Sequence, residues 1–270
     1  MTHHEPHKAH KPTLEQLLRR PDVWRGHSHS FVPQTVLDSG YPELNQALQQ
    51  QGWPSASMVE VCQRYHASEW YLFHPAINQL MQASPHAHLA LLNPPALPFI
   101  SGLRQWSIDT QRLFVVQSTN AQEFVTSFCE LSQSPACPIV LAWQNHPALN
   151  YTQLRKLQLS TSEQAGLYVL FRHSRAQEQS SPANLRLSIQ TQRNALHIHI
   201  FKQKGKLRHC DIELPIPEVW QALPPHPELM QNKSRESNTR YTASSKGQVT
   251  LFPAITSRSL KQVVKRDYSS

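Results

Sequence analysis

Residues 58–72 read MVEVCQRYHASEWYL. A short apolar run rich in β-branched residues gives way within a few residues to a segment with helical spacing, which is how a buried strand passing into a helix looks in sequence. The same alternation continues outward on the C-terminal side. ASEWYLFHPAINQLMQ (67–82) reads as helix, HLALLN (88–93) as strand, PFISGLRQW (98–106) as helix and RLFVVQ (112–117) as strand. AQEFVTSFCEL (121–131) then reads as helix, PIVLAW (138–143) as strand, NYTQLRKLQLSTSE (150–163) as helix and LYVLFR (167–172) as strand. Short, continuous apolar strands alternating with helices specify an α/β fold in three layers with a mostly parallel central sheet.

Beyond residue 172 the period changes. LRLSIQTQ (185–192) and ALHIHIFKQKGKLRHCDIEL (195–214) alternate residue by residue, so antiparallel strands wet on one face are expected to extend the sheet at one edge. His197 and His199 fall on one face of such a strand, where a metal pair and two exposed strand histidines are both open readings, the second being expected. On the N-terminal side, Thr13 and Gln16 frame a capping box for the helix TLEQLLRR, and YPELNQALQQQ reads as a second helix broken by Gly52-Trp53-Pro54. The expected organisation is a disordered His-rich start (1–12), an N-terminal helical arm (13–52), the core (53–222) and a disordered basic tail (223–270) rich in Pro, Ser, Asn and charge.

In a nucleoside triphosphatase of this architecture the first core strand is followed by G-x-x-x-x-G-K-[ST], whose backbone N–H groups, lysine and hydroxyl hold phosphate and magnesium. Laid on that pattern, Gln63 stands for the first glycine, Ser68 for the second, Glu69 for the lysine and Trp70 for the hydroxyl residue. Glu69 sets a carboxylate where the motif supplies a cation, so the phosphate loop is degenerate and ATP hydrolysis is not expected. The strand PIVLAW ends in Ala142, Trp143 and Gln144, without the magnesium-binding carboxylate usual there. G-x-S-x-G and H-E-x-x-H are also absent. No catalytic residue, cofactor or metal is assigned.

The chain has 270 residues and a net charge of +8, and most of that charge lies at its end. Lys233, Arg235, Arg240, Lys246, Arg258, Lys261, Lys265 and Arg266 face only Glu236 and Asp267 there. The core is close to neutral, and weak DNA contact is expected of the tail alone. Four cysteines without close spacing read as buried thiols. No run of about 18 apolar residues appears and the start MTHHEPHKAHK is polar, so a cytoplasmic location without membrane contact is expected.

The segments RRPDVWRG (19–26), GYPELNQALQQQGWPSASMVEV (40–61) and IVLAWQNHPALNYTQLRKLQLSTSEQAGLYVLFR (139–172), with PANLRLSIQTQ and HIHIFKQKGK, resemble the ImuA family of RecA-like proteins in bacterial mutagenesis cassettes. The middle of the chain, from LFHPAINQL to LYVLFR, is also similar to the shorter SulA division inhibitors. The resemblance implies a degenerate RecA-like core and a non-catalytic role in the SOS DNA-damage response, supporting translesion synthesis. It implies as partners an ImuB-type Y-family-like protein and RecA. The alternative it implies is an SOS cell division inhibitor acting on FtsZ. In the tail, Gln248, Val249, Thr250, Leu251 and Phe252 resemble the peptide by which repair proteins dock on the sliding clamp, with Val249 and Thr250 departing from the preferred residues.

Overall fold

The computed structural model describes residues 36–63, 68–145, 148–192, 195–204, 209–216 and 255–256. After the two-residue strand β1 (Val36–Leu37), helix α1 (Pro42–Ala47) and β2 (Trp53–Pro54), the core runs in alternation. It comprises β3 (Ser57–Gln63), a 3-10 segment (Ser68–Phe73) leading into α2 (His74–Ala83), β4 (Leu89–Leu92), α3 (Ile100–Gln105), β5 (Leu113–Gln117) and α4 (Ala121–Gln133). Then come β6 (Ile139–Trp143), α5 (Tyr151–Ser160), β7 (Leu167–His173), β8 (Leu185–Thr191), β9 (Ala195–Gln203), β10 (Cys210–Pro215) and β11 (Ile255–Thr256).

The main sheet has the order β10-β9-β8-β3-β7-β6-β4-β5-β11. Strand β3 therefore sits inside it, paired in parallel with β7 on one side and β8 on the other. All seven residues of β3 are buried, as a strand covered on both faces requires. One face packs α1, α2 and α3 through Leu44, Ile77 and Leu103 against Val59, Val61, Leu91, Leu141 and Val169. The other packs α4 and α5 through Phe124, Phe128, Leu154 and Leu157 against Ala90, Leu92, Val140, Ala142 and Leu170. The result is the three-layer α/β architecture expected from the alternation.

The helix starts have local causes. Asn120 accepts from the backbone N–H of Glu123 at the head of α4. At the head of α5, Asn150 and Gln153 form a reciprocal capping box. The expected helix over 67–82 is not uniform: the chain is 3-10 over 68–73 and becomes α only at His74. Pro75 lacks the N–H that would extend an α ladder backwards, so the α-helix begins around it.

Two further expectations need correction. Strands β9 and β10 are antiparallel as expected, but β8 runs parallel to β3, with Val59 opposite Leu185. Residues 174–184 supply the crossover, since they carry the chain from the end of β7 back to the opposite end of the sheet. In the basic tail, whose disorder was expected, Ile255–Thr256 forms a short parallel strand on β5. An edge strand offers unpaired backbone groups to any extended segment within reach. The remainder of 217–270, and the proposed helix at 13–20, lie outside the described residues.

The 174–184 strap is fastened by charge. Glu60, fully buried in the middle of β3, accepts from Arg172 Nη1 at 3.1 Å and from Arg186 Nη2 at 2.7 Å. Ser181 donates to its second carboxylate oxygen. Both arginines also reach the strap: Arg172 Nη2 donates to Gln179 Oε1 at 2.8 Å, and Arg186 Nη2 to the Ala176 carbonyl at 2.7 Å. Removing the carboxylate leaves two buried guanidinium groups unpaired, so Glu60→Ala is expected to cost about 3–5 kcal/mol. Replacing Glu60, Arg172 and Arg186 together by apolar residues of similar volume should cost far less, and urea unfolding of both variants checks the contrast.

Candidate functional site

In open α/β sheets, ligands sit beyond the carboxyl ends of strands, where successive connections leave on opposite faces. Here that point lies between β4 and β6. The chain leaves β4 for α3 on one face of the sheet and leaves β6 for α5 on the other. Asn93, at the end of β4, has a positive φ of 52° and ties this rim together. Its side-chain amide donates to Ser118 Oγ at 2.8 Å and accepts from Ser118 N at 2.7 Å. Its backbone carbonyl accepts from Asn145 Nδ2 at 2.9 Å, which links the loops after β4, β5 and β6.

A pocket of about 260 Å³ opens at this point, walled by Trp70, Tyr71, Leu91 and Trp143 and rimmed by residues 94–99. The rim reads PPALPF, so prolines hold it in extended and turn conformations. Two of its side chains stand in solvent: Leu97 is 59% exposed and Phe99 72% exposed. Among the described residues no charged side chain lines the pocket. Behind it, Trp143 stacks on Phe171 with ring centroids 4.7 Å apart, and Phe73 meets Phe171 edge-on. The indole N–H of Trp143 is buried without a hydrogen-bond partner.

Trp70 and Tyr71 of this wall belong to the 3-10 segment that follows β3, and the sequence from Gln63 to Trp70 is the one aligned with a phosphate loop. Gln63 is 2% exposed, and neither the oxygen nor the nitrogen of its amide has a partner. Trp70 is turned inward and stacks on Tyr71 at 4.5 Å. An indole in the aromatic cluster thus occupies the position aligned with the magnesium-binding hydroxyl. Ser68 and Glu69 open the 3-10 segment, and their side chains, like residues 64–67, lie outside the described residues. The clamp-like peptide Gln248–Phe252 also lies outside them.

Sequence alone marks Gln63 and Trp70 but not the pocket that Trp70 helps to wall. The available signal was the uncharged, proline-rich NPPALPF directly after a core strand, where a loop is usually polar. Strand β9 does carry His197 and His199 on one face. His199 Nδ1 lies 2.6 Å from Asp211 Oδ1, and His197 Nε2 lies 3.8 Å from Glu213 Oε2. Among the described residues no group of three or more His, Cys, Asp or Glu side chains is placed to hold a metal ion. The pairs line a polar trough on the sheet face opposite α1.

The cysteines are free thiols. Burial first, and then the neighbouring Glu60 carboxylate, push the Cys62 thiol up to about 12. Burial likewise raises Cys129. No protein-family model and no curated protein matches the chain. No helix among the described residues is long and apolar enough to cross a membrane.

Two outcomes follow from this geometry. Because the thiolate is the reacting form, Cys62 and Cys129 should resist a disulfide reagent at pH 8 until the chain is unfolded, while the half-exposed Cys210 reacts in the native state; the time course of thiol release measures this. Because the Gln63 amide is buried without partners, Gln63→Met should raise stability by about 1–3 kcal/mol. A fall in stability in chemical denaturation would show that the amide is satisfied in solution.

Proposed function

We propose that the chain is a non-catalytic accessory protein of the SOS DNA-damage response, with a degenerate RecA-like core, that supports translesion synthesis and induced mutagenesis through protein contacts. The observation that carries the non-catalytic part is the burial of Gln63 and Trp70, which flank residues 64–69 after the central strand β3. In sequence these positions align with a phosphate loop, yet Gln63 is a buried amide without a hydrogen-bond partner and Trp70 is buried against Tyr71. A neutral amide and an indole supply neither the cation nor the hydroxyl with which such a loop holds a triphosphate and its magnesium ion. The end of β6 adds no carboxylate, since Trp143 is buried in the aromatic cluster and Gln144 Oε1 accepts from Arg172 Nε at 2.8 Å.

The central position of β3, with parallel neighbours on both sides and an antiparallel pair at one edge, supports the RecA-like reading of the core. A function exercised through protein contacts is supported by the uncharged rim at Leu97 and Phe99, because exposed apolar clusters on soluble proteins commonly mark docking surfaces. The partners implied are an ImuB-type Y-family-like protein and RecA, with the sliding clamp taken by Gln248–Phe252 and weak DNA contact left to the basic tail.

Deleting the gene should abolish damage-induced mutation without changing division, whereas filamentation on overexpression would favour the division-inhibitor reading. Purified protein should hydrolyse no ATP above background in the presence of RecA and single-stranded DNA. Hydrolysis that disappears on substituting residues 63–70 would overturn the non-catalytic assignment.

A further inference from the structure

The pocket between β4 and β6 calls for an occupant. At about 260 Å³ it falls below the roughly 300–1,000 Å³ of small-molecule sites. It has aromatic walls, no charged side chain among the described residues that line it, and a rim held by prolines. Such a recess accepts aliphatic side chains of a peptide rather than a phosphorylated ligand. Its rim exposes Leu97 and Phe99 at a cost that burial by a neighbour would remove.

The fold brings one segment of the chain itself to this place. Strand β11 lies on the edge of the sheet beside β5 and runs parallel to it, with Thr256 opposite Gln117. Leu92 of β4 lies opposite Val116 of β5, so Thr256 stands level with the start of the 93–99 rim. The chain therefore leaves β11 at the carboxyl end of the sheet, which is the end where the pocket opens. From β11 to the gap between β4 and β6 is two to three strand spacings, about 10–14 Å. Leu260, the first apolar residue after Thr256, is four residues on, a reach of about 13 Å in extended chain.

The sequence of that segment suits the recess. In SRSLKQVVKRDYSS (257–270), the sequence sets Leu260, Val263 and Val264 at the i, i+3, i+4 spacing that would share one face at helical period, with Lys261, Lys265 and Arg266 off that face. The apolar walls Trp70, Tyr71, Leu91 and Trp143 take the apolar face and leave the cations in water. We propose that residues 257–270 dock in cis, with Leu260, Val263 and Val264 in the Trp70–Tyr71–Trp143 pocket and against Leu97 and Phe99. The β11 pairing acts as the tether that raises the local concentration of this segment. The contact does not depend on the accessory role proposed above.

The test uses the full chain. In Leu260→Ser/Val263→Ser/Val264→Ser, which alters only the tail, amide hydrogen exchange at residues 96–100 should be at least about tenfold faster than in the parent protein. A photoreactive benzoylphenylalanine at position 99 should cross-link to residues 257–270 in the parent and not in the triple variant. In an equal mixture of isotopically light and heavy protein the cross-linked peptides should be all light or all heavy. Unchanged exchange, or cross-links that survive the triple substitution, would overturn the docking. Mixed light-heavy cross-links would overturn the cis assignment in favour of exchange between copies. Loss of induced mutation is not read in any arm, so these results stand apart from the fate of the functional proposal.

Discussion

A single carboxylate at the centre of the sheet governs how the two halves of this fold meet. Glu60 lies on β3, and its ion pairs reach β7 through Arg172 and β8 through Arg186. Those two strands flank β3 but are joined to each other by the strap that has to cross the sheet. Because both guanidinium groups also hold strap atoms, the charge cluster specifies the parallel entry of β8, and with it the position of the β8–β10 meander. Desolvating three charges is expensive, and an apolar centre of the same shape would serve stability at least as well. What the cluster adds is directionality: each N–H has one acceptor, so a shifted register for β8 would leave a buried charge unpaired. The outer side of the cluster shows the same economy, with the Arg186 guanidinium over the Phe201 ring and Lys202 donating to the Ser181 carbonyl.

Much of this architecture is legible in the sequence because the signals are local. Runs such as IVLAW and LYVLFR can be buried on both faces only in a covered parallel sheet, and Asn150 with Gln153 announces the start of α5. What was not legible depends on distant residues. Alternation in LRLSIQT correctly marks a strand, but it carries no information on direction, which the strap and the Glu60 cluster decide. The β1–β2 pair has only two residues on each side and includes Pro54, too short for a periodic pattern. The 3-10 opening of α2 turns on a single proline inside a run whose spacing reads as one longer helix.

The candidate site divides along the same line. Gln63 and Trp70 were identifiable as chemically wrong for phosphate because that judgement needs only side-chain type and position along a motif. That Trp70 would turn inward and share a wall with Trp143, whose position is 73 residues further along the chain in sequence numbering, requires the strand order. The pocket is a product of topology: β4 and β6 become neighbours only because the chain visits β5 between them.

The Asn93 bracket bears on how quickly and how selectively that pocket can be filled. With the loops after β4, β5 and β6 tied to one asparagine and the rim stiffened by three prolines, the receptor side has little disorder left to lose on contact. An incoming segment meets a finished mould, so the ordering entropy falls on the visitor alone. Recognition at such a mould proceeds with small backbone movement, and discrimination rests on the shape of the visiting side chains. A branched or aromatic anchor of the wrong outline is turned away at the rim instead of being accommodated by it.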